Sequence, residues 1–203
     1  RLALLLLPPR PKAIFLAGPG IFRPDANEIG RELKALCALH GFEGLWPGDE
    51  NSGSSQMLFI MIRDMLRRSA AIIADITPFR GPHMEPGTAF AIGLAYQAGI
   101  PIFGYSTVAD LDRSAVDGER VRGLIERVWT SDYAPGTDGY YAVGEDGCWR
   151  DKDGNLVENF GLVENLMVAR AMRSISISAV EAVICCVEYF ESAAKRAGQA
   201  YAS

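Results

Sequence analysis

The sequence predicts an α/β fold: a doubly wound, flavodoxin- or Rossmann-like parallel sheet of about five strands flanked by helices. Short apolar runs typical of buried strands alternate with longer segments whose apolar residues recur at helical spacing. The intervals between these runs match β-α units, which build parallel sheets. With 203 residues, the chain is long enough for one sizeable domain and short for two.

The first half of the chain supplies the clearest strands and helices. Apolar runs predict strands at 13–17, 42–46, 70–76 and 100–105. Helical spacing predicts helices at 27–40, 54–68 and 86–98. We expect Asp25 to cap the first helix and Gly41 to end it. Pro86 suits the first position of the third helix, where the backbone amide has no helical partner.

The pattern becomes irregular after Tyr105. We predict a long insertion at roughly 106–159, with a helix within 112–129 and hairpins around Tyr140 and Trp149. Helical spacing returns at 162–172 and 176–197. We expect residues 1–11 to be an N-terminal extension and residues 12–203 to form a single domain.

Composition excludes several classes of protein. The net charge is −5 and no Lys/Arg cluster occurs, so a nucleic-acid polymer is not an expected partner, although small nucleosides remain open. The apolar run in residues 1–9 ends at two prolines, and no stretch approaches the ~18 apolar residues of a membrane span. The four cysteines, two of them adjacent, indicate reduced thiols and a cytoplasmic location.

Three loops follow predicted strands and are the candidate ligand sites, because parallel sheets bind ligands beyond the carboxyl ends of their strands. They are Gly18-Pro19-Gly20, the segment 75–85, and the region after Tyr105. The first loop has Arg23 where a dinucleotide fingerprint needs glycine, and it lacks a phosphate-loop lysine. Asp75 ends an apolar strand, where it either meets a partner in the cleft or caps the loop.

The remaining reactive side chains carry little signal in the sequence. His40 and His83 are isolated, and no His/Cys/Asp spacing suggests a metal site. The adjacent pair Cys185-Cys186 is interpreted as core packing. Position 91 lies one helical turn beyond Gly87, so it can face the same cleft as Glu85.

Four runs of this sequence resemble segments of the nucleoside 2-deoxyribosyltransferase family. The runs are IFLAGP (14–19) with Phe22 after it, ADITPFRG (74–81), EPGTAF (85–90) and FGLVENLM (160–167). Each run is short, but the four occur in the family's order and spacing. The resemblance covers roughly residues 12–105 and 157–170.

The resemblance implies transfer of 2-deoxyribose between nucleobases. In such enzymes a carboxylate attacks C1′ of the sugar while an acid protonates the departing base, and a second base then takes the sugar. This double displacement is that of retaining glycosidases, whose two carboxyl groups lie about 5–5.5 Å apart. The chemistry implies no cofactor.

Carried over by position, the family's nucleophilic glutamate falls at Ala91 and its base-side aspartate at Glu85. Asn165 would reach a sugar hydroxyl in a neighbouring subunit, which implies a homo-oligomer. The other positions implied to bind substrate are Phe15, Gly18, Pro19, Phe22, Asp75, Phe79, Arg80, Gly87 and Met167.

Alanine at position 91 removes the attacking atom. We predict an inactivated variant that still binds nucleoside, and the intact motif around Ala91 favours an introduced truncation over a natural loss. Two alternatives stay open: a hydrolase of the N-glycosidic bond of nucleosides or nucleotides, and a non-catalytic nucleoside-binding protein.

Overall fold

Five parallel strands form the main sheet of the protein in a computed structural model, which describes residues 11–50, 53–107, 141–158 and 160–200. These strands are β1 (Lys12–Ala17), β2 (Phe42–Leu45), β3 (Ala71–Asp75), β4 (Ile102–Tyr105) and β7 (Ser174–Ser176). A separate antiparallel pair consists of β5 (Tyr141–Val143) and β6 (Trp149–Asp151). The helices are α1 (Ala26–Leu39), α2 (Ser55–Arg67), α3 (Pro86–Gln97), α4 (Leu166–Ala169) and α5 (Ala179–Ala200).

The strand order, β2-β1-β3-β4-β7, places a topological switch point between β1 and β3. The chain leaves β1 toward one edge of the sheet and then returns to build the other side from β3. Gly18 follows β1 and Asp75 ends β3 at this point. A Cβ atom on Gly18 would lie 2.6 Å from Asp75 Cβ, so glycine is what lets the two strand ends approach. Ligands of doubly wound sheets bind in the crevice beyond such a point.

Alternation along β1 divides the core into two layers. Phe15 and Ala17 pack in the cluster that includes residues of α2 and α3. Ile14 and Leu16 point to the opposite face, where they pack in the cluster that includes residues of α1 and α5. This alternation follows from the two-residue period of a strand buried on both faces.

The fold class predicted from the sequence is confirmed. Strands and helices of the first half start and end within two residues of their predicted bounds. Asp25 does occupy the N-cap position of α1, but its carboxylate binds the Arg23 guanidinium at 2.9 Å rather than a helix amide. Residues 1–10 of the predicted N-terminal extension and the predicted helix within 112–129 lie outside the described residues.

The predictions for the C-terminal third were partly wrong. The helix expected over 162–172 shortens to α4, because Asn165 caps its start and the Arg173 amide donates to Ile102 O at 2.8 Å, which brings the chain onto β4. The short strand β7, for which no location was predicted, follows there. Helix α5 therefore begins at Ala179 instead of Ser176. Within the described residues, no helix has both the length and the apolar character of a membrane span.

Candidate functional site

A cavity of about 170 Å³ opens at the carboxyl end of β1, between that strand, α2 and the start of α3. Its wall is mostly apolar, and the carboxylate of Glu85 is its charged group. The residues that line it are Phe15, Ala17, Gly18, Ile21, Phe22, Pro47, Ile62, Glu85, Gly87, Thr88 and Ala91. The cavity therefore lies where the strand order predicts a ligand. Six of its lining residues were predicted from the sequence as site positions: Phe15, Gly18, Phe22, Glu85, Gly87 and Ala91.

The first turns of α3 bring positions 85 and 91 to this cavity. Pro86 starts the helix, and Glu85 precedes it as the N-cap residue. Ala91 is 8% exposed and lies on the buried side of α3 with Thr88 and Ala95. At position 91 the wall is thus a methyl group, which offers no attacking atom.

Glu85 is held in place by the helix that it caps. Its Oε1 accepts a hydrogen bond from the Gly87 amide at 2.8 Å, and its Oε2 accepts from the amide and the hydroxyl of Thr88 at 2.6 and 2.8 Å. The side chain satisfies amides that a helix start would otherwise leave unpaired. A Cβ on Gly87 would lie 3.0 Å from Glu85 Oε1, so glycine leaves room for the carboxylate.

Phe79 and Arg80 do not line the cavity, but both pack against Phe22, which does. The rings of Phe22 and Phe79 stack with centroids 5.4 Å apart, and the Arg80 guanidinium lies 4.6 Å from the Phe79 centroid and 5.5 Å from that of Phe22. Arg80 has a φ of 56°, which is uncommon for a residue with a side chain. This backbone turn and the cation–π contacts place a cation beside a flat apolar surface.

Asp75 caps the loop after β3. Its Oδ1 accepts hydrogen bonds from the amide of Thr77 at 2.9 Å and from the Thr77 hydroxyl, and its side chain also pairs with Tyr105. Burial raises the pKa of Asp75 above its usual range, and these hydrogen bonds partly offset the rise. Asp75 does not line the cavity, but it packs against Gly18, which does. A direct contact with substrate stays a prediction.

Asn165 and Met167 lie away from this cavity in the same chain. Asn165 caps α4, where its Oδ1 accepts from the Met167 amide at 3.0 Å, and its Nδ2 donates to Glu158 Oε2 at 3.0 Å. The side chain of Met167 is on the surface, with the residue 75% exposed.

Pro19 begins a 3₁₀ turn that carries Ile21 and Phe22 to the cavity wall.

A second polar cluster has no counterpart in the sequence predictions. His83 Nδ1 lies 2.8 Å from Glu164 Oε1, and its Nε2 lies 2.8 Å from the Tyr141 hydroxyl. These partners are 81 and 58 residues away along the chain, so no local motif signals the contact. In the part of the chain that the structure describes, no three His, Cys, Asp or Glu side chains converge as a metal ion would require.

Comparison with known proteins agrees with the fold. A 2-desoxiribosyltransferase from Leishmania mexicana has a similar structure, with a TM-score of 0.64 and 29% identity over 88% of this chain and 98% of that one. An uncharacterised protein of Schizosaccharomyces pombe is 29% identical over 180 residues, which cover 82% of this chain and 79% of that protein. The family model described as nucleoside 2-deoxyribosyltransferase matches residues 14–167, so the chain belongs to the nucleoside 2-deoxyribosyltransferase family.

Proposed function

We propose that this chain binds a nucleoside in the Glu85 cavity and, with alanine at position 91, does not transfer the sugar. One observation carries the proposal: Glu85 and Ala91 line the same cavity, from successive turns of one helix. Family membership supplies the ligand class, since family members act on nucleosides and nucleobases. Alanine at position 91 lacks the carboxylate that would attack the sugar, so we expect no transfer.

The surroundings of Glu85 suit a nucleoside. A base placed between the apolar wall and the ring of Phe22 gains stacking, and aromatic contacts of this kind contribute about 0.5–1.5 kcal/mol beyond area burial. Oε1 of Glu85 accepts one hydrogen bond within the protein, so a lone pair remains for a donor on the ligand. Glu85 therefore binds and orients the base in this proposal.

Transfer with retention needs a second carboxylate on the other side of the bond that breaks. The attacking oxygen forms a bond to C1′ as the C1′–N bond to the base breaks, and the acid delivers a proton to the departing base. Among the lining residues, Glu85 is the carboxylate available, and the sequence resemblance implies a place for it at the base side. Without an oxygen at position 91, the covalent intermediate cannot form there.

We expect binding without a covalent adduct. Incubation with each common 2′-deoxynucleoside should produce a calorimetric binding signal with at least one of them, while intact-protein mass spectrometry shows the unmodified chain. A matched sample of the Ala91→Glu variant provides the positive control for the adduct. A deoxyribosyl mass increment on the unaltered chain would contradict the proposal, and so would the absence of binding to every nucleoside tested.

We also propose a homo-oligomer that pairs through α3 and its neighbours. Large apolar side chains stand exposed along this face: Phe59 (46%), Phe90 (56%), Tyr96 (66%) and Met167 (75%). A groove of about 440 Å³ lies between α3 and α4 on the same face. Because Asn165 caps α4, pairing here brings that side chain to the interface. A surface this apolar on one face is typical of association.

We expect sedimentation velocity to give at least a dimer at micromolar concentration. Phe90→Asp, which places a charge in the apolar face, should shift the protein to monomer. Leu39→Asp is the matched control, because Leu39 is 82% exposed on α1, on the other side of the sheet, and its change should leave the assembly intact. Equal behaviour of the two variants would contradict an interface on α3.

A cytoplasmic location and a role in nucleoside salvage remain proposals as well. The four cysteines are free thiols in the structure, and two of them, Cys37 and Cys186, are buried. Burial raises the pKa of the Cys37 thiol to about 11, so this thiol is inert at neutral pH. Free thiols of this kind are typical of proteins in a reducing compartment such as the cytoplasm.

A further inference from the structure

The segment from Phe79 to Glu85 connects two places in the protein. Its first residues, Phe79 and Arg80, pack against the ring of Phe22, which lines the cavity, and its last residue, Glu85, lies in the cavity wall. Between them, the Phe79 amide donates to the His83 carbonyl at 2.8 Å, which closes the segment into a tight loop. The position of His83 therefore helps to set where Phe79 packs against Phe22 at the edge of the cavity.

The side chain of His83 ties this loop to two distant parts of the chain. Glu164 comes from the segment ahead of α4, and its side chain is 6% exposed. Tyr141 comes from β5. Each lies 2.8 Å from a different ring nitrogen, so the imidazole bridges the two. Because the Glu164 carboxylate is almost wholly buried, little water competes with His83 for it.

We propose that His83 is a positioning residue, whose contacts with Glu164 and Tyr141 hold the Phe79–Glu85 loop in the shape that binds the ligand. The choice of a nucleoside as ligand rests on the proposed function. The positioning itself concerns the loop and is measurable without any ligand.

Protonation of His83 changes the strength of this bridge. With one ring proton, Nδ1–H donates to Glu164 while the Tyr141 hydroxyl donates to Nε2. With two, both nitrogens donate, and the contact with Glu164 becomes an ion pair. The hydrogen bond with Glu164 raises the pKa of His83 above its ordinary value, although burial opposes the rise. The extra stabilisation of the bridge by the protonated ring is thus complete at low pH. It is lost as the pH increases through the raised pKa of His83.

The charged groups that shift the pKa of His83 are both carboxylates. On the segment ahead of α4, Glu164 and then Glu158 favour the protonated ring. From the hairpin, Tyr141 contributes a hydroxyl, and the pKa of that phenol is raised by burial and by the Glu164 and Asp151 charges. Tyr141 is therefore neutral throughout the range in which His83 titrates.

Equilibrium binding of 2′-deoxyadenosine from about pH 5.5 to 9 tests the inference. We expect the dissociation constant to rise about two- to fivefold as His83 loses its proton, the range of a half-exposed ion pair. His83→Ala should bind about five- to tenfold more weakly than the unaltered chain at the low end and show no pH step. Glu164→Gln, which keeps the acceptor oxygen without the charge, should move the step to lower pH.

The matched control is His40→Gln. The chain has two histidines, and His40 lies exposed at the end of α1, so its replacement should leave the pH step in place. A pH step that survives in His83→Ala, or unchanged affinity in that variant, would overturn the inference. Thermal unfolding identifies any variant that fails to fold, and Tyr141→Phe then supplies a milder loss of one contact.

Amide hydrogen exchange without ligand separates this inference from the proposed function. Exchange at residues 79–85, corrected for its intrinsic pH dependence, should be faster in His83→Ala than in His40→Gln. Faster exchange combined with no nucleoside binding by any variant would refute the proposed function and retain the positioning role. Equal exchange, together with normal binding, would refute the positioning role and retain the function.

Discussion

Replacement of Ala91 by glutamate is expected to give this protein deoxyribosyltransferase activity. The new carboxylate would project from the buried side of α3 into the cavity that Glu85 borders, which supplies the second carboxyl group of a retaining site. The rate of transfer should rise by at least about 10⁴-fold. Removal of the nucleophile from other covalent enzymes lowers kcat by a factor of this order or more. The measurement is base exchange between a deoxynucleoside and a second free base, followed by chromatography.

Ala91→Gln is the control, because it fills the same space without a nucleophilic carboxylate, and it should remain inactive. The product also separates the other possible activities. Exchange of bases supports a transferase, whereas free deoxyribose in the presence of a second base would identify a hydrolase. A folded Ala91→Glu protein that binds nucleoside and turns over nothing would support a non-catalytic binding protein.

The gain in chemistry should come with a loss of stability. Ala91 is 8% exposed, and the wall around it is mostly apolar, so a carboxylate there is partly removed from water. Desolvation and the nearby Glu85 charge both raise the pKa of a carboxyl group at position 91. Bound nucleoside should recover part of the lost stability, since a ligand stabilises the state that binds it.

Glu85→Ala is expected to destabilise the protein by about 2–4 kcal/mol. The change removes the N-cap of α3, a loss of about 0.5–2 kcal/mol, and leaves buried donors of Thr88 unpaired at about 1–3 kcal/mol. For a chain of this size, the melting temperature should fall by roughly 5–15 °C. Urea unfolding and calorimetry measure both quantities.

Two milder variants divide this loss into parts. Thr88→Val removes only the hydroxyl donor and should cost about 1 kcal/mol. Glu85→Gln keeps one acceptor oxygen, so its stability should lie between those of the unaltered chain and Glu85→Ala. In the Ala91→Glu background, the same Glu85→Gln change should slow transfer by about 10²–10⁴-fold, the usual contribution of a general acid. A stable but inactive Glu85→Gln protein would separate the chemical role from the cap.

The sequence predicted the first half of the fold well because its signals there are local. The run from Ala71 to Asp75 is almost wholly apolar, and Pro86 marks the start of α3. The C-terminal third failed for a non-local reason. Apolar residues between 162 and 172 have helical spacing, yet pairing with β4 takes the following residues into β7, which outweighs a weak helical preference.

In the candidate site, too, local contacts were predictable from the sequence and contacts between remote segments were not. Glu85 and Ala91 occupy one helix, so helical geometry alone places them together. Phe22 and Phe79 meet at the switch point, where the parallel topology brings separate loops to one edge. The contacts of His83 with Glu164 and Tyr141 depend on how three remote segments fold against one another. Neither spacing nor composition carries that information.

The two-sided character of β1 has a consequence for how this protein can change over evolutionary time. Phe15 and Ala17 line the cavity beside Glu85, while Ile14 and Leu16 pack in the opposite layer. Additivity of mutational effects requires separate partners and a separation of more than about 7–10 Å, and side chains packed on the two opposite layers meet this condition better than side chains within one layer. Specificity can therefore drift on one side of the sheet while the other side accumulates compensating stability. Adjacent residues of one strand thus serve different purposes: those on one face affect the cavity, and those on the other face affect stability.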